Sequence, residues 1–151
     1  MRIRRVAATD LSALAELIAE LAAHHGDASA ADPARLSKDV LGPEAWFRTL
    51  VADEGGALVG YVSLLRVGQL QFGVRGVDMH HLHVTHAARG RGFGRRLVKA
   101  AIAEARAMGA AFVVVGAAPD NVETHGFYES MGFERRTAGS VRFAMRLGAE
   151  P

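Results

Sequence analysis

The stretch HVTHAARGRGFGRRLVKAA occupies residues 83–101 and places three glycines within five positions, directly before a helical pattern. Gly90, Gly92 and Gly94 remove side chains from one short turn, which lets backbone N–H groups approach a bulky or negative group. Five cations surround these glycines: Arg89, Arg91, Arg95, Arg96 and Lys99. The stretch therefore predicts an anion site at the N-terminus of a helix.

The turn matches neither of two common phosphate-binding sequences. Arg95 stands where a dinucleotide-binding fingerprint requires its third glycine, and the Lys-Ser/Thr pair of a P-loop is missing. What remains is a strand, a compact turn and a helix whose free N–H groups and positive dipole end suit a pyrophosphate. An ordinary tight turn with solvated arginines is the alternative interpretation.

Length and composition predict one domain over residues 1–151 with a single core, because half of the residues are hydrophobic. The chain has no cysteine, which excludes disulfides and thiolate chemistry and favours the cytoplasm as its location. Acidic residues interrupt the N-terminal apolar region, and no run approaches ~18 apolar residues, so we expect neither export nor a membrane partner.

The net charge of +2 is too small to indicate a nucleic-acid partner. Nucleic-acid binding needs basic residues spread over a face with aromatic residues among them, whereas here they concentrate at the glycine turn. We therefore expect no nucleic-acid partner.

Hydrophobic periodicity predicts a mixed α/β fold with the order β-α-α-β-β-β-α-β-α-β, a mainly antiparallel start, one parallel crossover and no internal repeat. The predicted helices lie at 11–25, 35–41, 92–108 and 122–131. The predicted strands lie at 3–6, 47–52, 57–65, 77–84, 110–118 and 140–147, with one more possible at 134–137. The apolar run at 110–118 is typical of a strand buried on both faces.

Two motifs together carry a resemblance to a known family. Arg-x-x-Gly-x-Gly at Arg89, Gly92 and Gly94, followed by NVETHGFYESMGF at 121–133, resembles the GNAT acetyltransferase superfamily over most of the chain. The resemblance implies a GNAT-like mixed, mostly antiparallel sheet flanked by helices. It also implies an N-acetyltransferase that uses acetyl-CoA as acetyl donor and moves the acetyl group to a primary amine by direct attack in a ternary complex.

The resemblance also implies roles for particular residues. The backbone of Leu82, His83 and Val84 would pair with the pantetheine arm and the acetyl carbonyl. Asn121 would contact the same arm, although it also suits a turn and a helix cap. Tyr128 would protonate the departing sulfur as general acid, the alternative being a ring that only packs on the sheet. The pyrophosphate would be held by the glycine turn, consisting of Arg89, Gly90, Arg91, Gly92, Phe93, Gly94 and Arg95.

The segment MHHLHVTH places several histidines just before the glycine turn, and the acceptor amine must lose a proton before it attacks. His80 or His81 is our hypothesis for the base, against a purely structural role. Strand alternation puts His81 and His83 on one face and His80 on the other, unless a bulge intervenes. The His-x-His spacing could also bind metal, but no third ligand is evident, so we predict no metal site.

The N-terminal third resembles the diamine and polyamine N-acetyltransferase branch, which points to a small amine. Those relatives carry acidic residues on the cofactor strand where this chain has His80 and His81, which puts polyamines in doubt. Trp46 and Phe47 either line an acceptor pocket or, as we favour, pack in the core. The alternatives are a protein or peptide N-acetyltransferase and a non-catalytic CoA-binding module.

The alternating run at 140–147 suggests an edge strand and hence a homodimer.

Overall fold

A computed structural model of the chain describes residues 1–136 and 141–148. The helices and strands of this part are, in chain order, β1 (Arg2–Arg5), α1 (Leu11–His24), α2 (Pro33–Val40), β2 (Arg48–Glu54), β3 (Ala57–Gln69), β4 (Val74–Val84), α3 (Phe93–Ala107), β5 (Phe112–Val114) and α4 (Val122–Ser130). None of the helices in these ranges is both long and apolar enough to cross a bilayer.

The strands form one sheet in the order β1-β2-β3-β4-β5. The first four strands pair antiparallel, and β5 pairs parallel to β4 after the crossover through α3. This confirms the mixed α/β fold class. The prediction that the run at 110–118 is a strand buried on both faces is wrong, because β5 spans only Phe112–Val114, is half-buried and, among the described residues, pairs only with β4.

The β2–β3 hairpin shows how the local sequence builds the sheet. Its turn consists of Gly55 and Gly56, with φ of 64° and 92°, and a two-residue turn of this kind suits the twist of paired strands. The Gly56 N–H donates to Asp53 Oδ1 at 2.8 Å. Arg4 of β1 donates to Asp53 and also to Asp10, which joins the first two strands to the start of α1.

Each face of the sheet is covered by helices. On one face α1 packs against β3 and β4, and α2 packs against α1. This core consists of Leu11, Leu14, Leu17, Leu21, Leu36, Val51 and Tyr61. On the other face α3 packs against β2, β3 and β4 with Leu97, Val98 and Ala101 fully buried. A Cβ at Gly60 would lie 2.7 Å from the His83 carbonyl oxygen and 3.2 Å from Leu97 Cδ1, so the close packing there requires glycine.

The chain divides into two compact units, Met1–Gly116 and Ala117–Pro151. The first unit contains the sheet with α1, α2 and α3. The second contains α4, which ends at Gly132 in a left-handed conformation with φ of 95°. Next to this end, the Phe133 N–H donates to the Tyr128 carbonyl oxygen at 3.1 Å.

The predicted final strand does not form in its described part. Residues 141–148 have no strand partner, and the apolar residues of the alternating run are 82–94% exposed: Val141, Phe143, Met145 and Leu147. Alternation alone does not make a strand, since a strand also needs a neighbour to complete its hydrogen bonds. Residues 134–136 likewise form no strand, and residues 137 and 140 lie outside the described residues.

Candidate functional site

One edge of β4 has no strand partner along its second half. On the β5 side, β4 pairs only at Gly76, Val77 and Asp78, whereas on the other side β3 pairs with it as far as Val84. Within the described residues, the backbone groups at 79–84 that point away from β3 therefore face no strand. Leu82, His83 and Val84, the residues predicted to contact the pantetheine arm, lie on this open edge.

The open edge leads directly into the glycine turn. Gly90 and Gly92 have φ of 73° and 82°, a left-handed conformation in which any Cβ is costly. Gly92 is the N-cap of α3, and no side chain caps this helix. This is the positive end of the helix dipole, where an anion is stabilised.

The side chains of the turn have defined partners. Arg89 Nε donates to the Val84 carbonyl oxygen at 3.1 Å, which holds the turn against the end of β4. Arg91 forms an ion pair with Glu54 at 2.5 Å and lies over the Phe93 ring, 5.0 Å from its centroid. Phe93 is buried, so only its backbone can contact a ligand in the turn.

A bulge in β4 arranges the histidines. His81 pairs with Ser63 and Met79 pairs with Leu64, which leaves His80 as the extra residue between them. The His80 ring stacks on the His81 ring at 4.3 Å between centroids, and on its other neighbour Phe47 at 5.2 Å. The simple alternation that put His80 on the opposite face is therefore wrong, and the two candidate bases lie side by side.

Tyr61 holds His81 in place. The Tyr61 hydroxyl and Nδ1 of His81 share a hydrogen bond of 2.9 Å, and the tyrosine ring is fully buried. Burial raises the pKa of Tyr61 above its ordinary value, so the phenol keeps its proton. Burial first, and then electrostatic interaction with His80, His25 and His83, lowers the pKa of His81 to about 4. His81 is thus neutral at pH 7, which leaves one of its ring nitrogens without a proton.

The side chain of His83 has a different role from its backbone. Its Nε2–H donates to Glu20 Oε2 of α1 at 2.9 Å, and the residue is only 6% exposed. The bond connects β4 to α1. The described residues contain no group of three or more His, Cys, Asp or Glu side chains that could hold a metal ion.

Sequence reasoning missed Tyr61, Glu20 and a buried hydroxyl pair. Thr49 Oγ1 and Ser63 Oγ lie 2.8 Å apart on the same face of the sheet as Tyr61. The available signal was the Tyr61-x-Ser63 spacing inside an apolar strand, which puts both side chains on one face. Their contact with His81 depends on the register between β3 and β4, which no local pattern reveals.

The two other predicted site residues belong to the second unit. Asn121 is the N-cap of α4, and its Oδ1 accepts from the Thr124 N–H at 3.3 Å, as expected for a capping residue. Tyr128 is half-buried, and its ring contacts Phe127 and Phe133. Burial raises the pKa of Tyr128, so its phenol carries a proton at neutral pH, as a general acid must.

Comparison with known families and curated proteins gives consistent results. The sequence profile of the Acetyltransferase (GNAT) family matches residues 12–133. An L-methionine sulfoximine/L-methionine sulfone acetyltransferase of Pseudomonas aeruginosa is 30% identical over 64% of this chain and 60% of its own length. The N-alpha-acetyltransferase RimI of Mycobacterium tuberculosis is 30% identical over 76% of this chain and 73% of its own. For the relatives that rank first, the chain spans only about half to three fifths of their length.

Solved structures support the fold. An aminoglycoside acetyltransferase from an uncultured soil metagenomic sample has a TM-score of 0.78 at 23% identity, covering 97% of this chain and 96% of its own. A ribosomal-protein-alanine N-acetyltransferase from Brucella melitensis has a TM-score of 0.73 at 20% identity, covering 97% and 98%. These likenesses concern the fold alone.

Proposed function

The chain belongs to the Acetyltransferase (GNAT) family, and we propose that it moves the acetyl group of acetyl-CoA to a primary amine by direct attack in a ternary complex. The observation that carries this proposal is the open edge of β4 running into the uncapped N-terminus of α3. A strand edge offers hydrogen bonds to an extended chain of amides, and a helix N-terminus offers them to an anion. That residues 1–151 work as one catalytic domain is part of the proposal.

The residues present fit acetyl-CoA. Backbone groups of Leu82, His83 and Val84 would bind the pantetheine arm, and Asn121 would add a further contact. The glycine turn from Arg89 to Arg95 would hold the pyrophosphate, since Gly90 and Gly92 leave open space where a Cβ would stand. When bound, acetyl-CoA supplies an activated thioester.

We assign the removal of the amine proton to His81, with His80 beside it as the alternative. In the tautomer in which Nδ1–H donates to Tyr61 Oη, the lone pair of His81 Nε2 is left to accept that proton. Tyr61 is then a positioning residue, because its hydrogen bond holds the ring. Tyr128 would donate its phenolic proton to the departing sulfur.

The acceptor is proposed to be a small amine. One relative is named for the acetylation of methionine sulfoximine and methionine sulfone, whereas another is an N-alpha-acetyltransferase. A protein or peptide acceptor is therefore the second candidate. Cytoplasmic location stays a prediction, and so does the homodimer, whose expected edge strand is absent from residues 141–148.

Titration calorimetry with acetyl-CoA tests the proposed site, using two matched glycine variants. Gly92 and Gly109 flank α3 with φ of 82° and 81°, and a Cβ at either would meet nothing within 4 Å. Gly92→Ala and Gly109→Ala therefore impose the same backbone strain of about 1 kcal/mol. We expect acetyl-CoA affinity to fall about tenfold or more in Gly92→Ala alone. Equal affinity for acetyl-CoA in both variants would show that the pyrophosphate does not bind at this turn.

A thiol-release assay against a panel of amines then tests transfer. Tyr128→Phe should lower kcat about 100-fold while acetyl-CoA affinity is unchanged, since a general acid typically contributes ~10²–10⁴. A kcat equal to that of the unmodified protein would exclude Tyr128 as the acid. Failure to bind acetyl-CoA at all would overturn the enzymatic proposal, and binding without turnover of any amine would favour a non-catalytic CoA-binding module.

A further inference from the structure

The β3–β4 hairpin extends beyond the start of β2 and leaves part of β3 without a second neighbour. Arg48, the first residue of β2, pairs with Leu64, and no described strand pairs with β3 beyond that point on the β2 side. Residues 65–69 pair with β4 alone. In such a segment, alternate residues direct their N–H and C=O groups away from the partner strand. The outer edge of residues 65–69, which we name the β3 edge, therefore offers hydrogen bonds to an added strand.

The two faces of the hairpin beside the β3 edge differ in character. On one face the side chains are apolar and half-buried: Leu65, Val67 and Val74. On the other face Arg66 and Arg75 are diagonal neighbours, because Arg75 pairs with Gly68, two residues beyond Arg66. An added strand would thus meet apolar side chains on one face and two cations on the other.

The two arginines of the hairpin have no acidic partner. Both are exposed, and neither forms an ion pair or a side-chain hydrogen bond within the described part of the chain. The sequence has no Asp or Glu from residue 55 to residue 77, and Asp78 belongs to the opposite face of β4. Glu104 of α3 is already bound by Arg5 and Arg48. The hairpin therefore presents a positive charge that an acidic partner would complement.

Exposed large apolar side chains lie at both ends of the β3 edge. Leu70 and Phe72 directly follow it and are 99% and 69% exposed. At its start, Trp46 is 71% exposed and lines a small cavity that Arg66 also borders, so the favoured expectation of core packing is wrong for Trp46. Apart from Met1, the first unit, which is described throughout, exposes no other large apolar side chain. Their concentration around one hairpin is typical of an interaction surface.

We propose that the β3 edge binds an extended peptide of a partner protein in which acidic and apolar residues alternate, and that this peptide adds a strand to the sheet. Its acidic side chains would lie beside Arg66 and Arg75, and its apolar side chains would lie beside Leu65 and Val67. In strand addition, backbone hydrogen bonds provide affinity and alternate side chains provide specificity. The inference goes beyond the proposed acetyl transfer and does not depend on it.

Charge disfavours two other strands that this chain itself could supply. Pairing of the β3 edge with the same edge of a second copy would bring four arginines together. The alternating run at 141–148 carries Arg142 and Arg146, so it would also bring positive charges to the hairpin. Like charges on neighbouring strands destabilise their pairing. An acidic strand from another protein therefore fits the β3 edge better than either.

Fluorescence anisotropy with a labelled peptide of three Val-Glu repeats and blocked ends tests the proposal. We expect it to bind about tenfold more tightly than the same peptide with Lys in place of Glu, the combined effect of a few exposed ion pairs. It should also bind more tightly than a peptide of the same composition whose three Glu residues are consecutive. Equal binding of the three peptides would overturn the inference.

Two further measurements separate the other occupants of the β3 edge. Tighter binding of a peptide with the sequence of residues 141–148 would overturn the inference in favour of the chain's own segment. Sedimentation at several protein concentrations detects a dimer, and a dimer whose formation excludes the acidic peptide would assign the edge to a second copy. We expect neither result.

N-methylation of the peptide tests whether it binds as a strand. Alternate residues of a strand direct their N–H groups to opposite edges, and only one edge of the peptide would face β3. We therefore expect methylation of either the Val residues or the Glu residues to abolish binding, while methylation of the other set leaves it unchanged. If neither set matters, the peptide does not add to the sheet.

Charge-reversal variants connect binding to the hairpin. Replacing both cations, by Arg66→Glu and Arg75→Glu together, should lower affinity for the acidic peptide about tenfold and allow the Lys peptide to bind. Arg2→Glu is the matched control, because Arg2 is an exposed arginine of β1, a different strand. Unchanged affinity for the acidic peptide in the double variant would overturn the inference.

The unfolding midpoint, measured by circular dichroism, shows whether the double variant is folded. If it is not, the single variants Arg66→Gln and Arg75→Gln replace it, and each should lower affinity about threefold. Unchanged affinity in both single variants would likewise overturn the inference.

Discussion

The two faces of the central sheet are filled in different ways. Toward α3, the centre of the packing is apolar, with Leu97 and Val98 fully buried against strands that include the tightly packed Gly60. Glu104 of α3 also forms ion pairs with Arg5 and Arg48. Toward α1, the middle of β3 and β4 carries Tyr61, His81 and other polar side chains joined by hydrogen bonds. Apolar burial is the main source of stability, whereas a buried polar network contributes little net free energy. The α1 face also has its own apolar core, so both faces stabilise the sheet, and the histidine network makes the α1 face the one where chemistry can occur.

The polar face meets its hydrogen-bonding requirement. Among the described residues, every buried side-chain N or O atom that belongs to a non-exposed residue has a hydrogen-bond partner. A buried polar group that lacks a hydrogen-bond partner lowers the stability of the fold, and apolar side chains at the same positions would avoid this cost. Its presence beside the bulge at His80 is consistent with a function that needs histidines in a partly buried place.

The largest expected effect comes from the apolar face. Leu97→Ala removes a fully buried side chain from α3, and we expect the free energy of unfolding to fall by about 3 kcal/mol. Denaturant unfolding monitored by circular dichroism measures it. The KM for the acceptor should not change in the folded fraction, because Leu97 lies on the face opposite the histidines. A loss below about 1 kcal/mol would contradict the close apolar packing inferred around Leu97.

A smaller loss of stability but a larger loss of function is expected on the polar face. Tyr61→Phe keeps the buried ring and removes only the hydroxyl bonded to His81, which should cost about 1 kcal/mol. If Tyr61 positions the base, kcat should fall about tenfold and the acidic limb of the pH–rate profile should move. If Tyr61→Phe loses the same stability but keeps its kcat and pH–rate profile, the role of Tyr61 is only structural.

The effect that is smallest at neutral pH is the pH dependence of stability. The pKa of His81 is about 4 in the folded state and near 6.5 when unfolded, so folding favours the neutral ring. This contribution is complete above pH 6.5 and is lost as the pH falls toward 4. We expect His81→Asn to have a shallower loss of stability between pH 6.5 and 4, measured by urea unfolding at several pH values. If the curves of stability against pH are parallel for His81→Asn and the unmodified protein, the pKa of His81 is the same in the folded and unfolded states.

The region around the glycine turn was predictable from local sequence. Gly92, followed by apolar residues at helical spacing, predicted the start of α3 to within one residue. The prediction succeeded because the left-handed conformation of Gly92 and its place as N-cap depend only on residues close in the sequence. The hairpin at Gly55 and Gly56 was predictable for the same reason. In contrast, the alternating run at 140–147 led to a wrong prediction of a strand. Alternation indicates a strand only where a neighbouring strand is present to pair with it, and residues 141–148 do not form a strand.

By itself, the sequence determined the family, the order of elements as far as α4 and the glycine turn, because these depend on contacts between residues close in the chain. Only the tertiary structure decided the open edge of β4, the pairing of Tyr61 with His81 and the ion pair between Arg48 and Glu104. Tyr61 and His81 are separated by a long hairpin, and Arg48 and Glu104 lie on different elements. Such contacts follow from strand register and helix packing, which depend on the whole core at once.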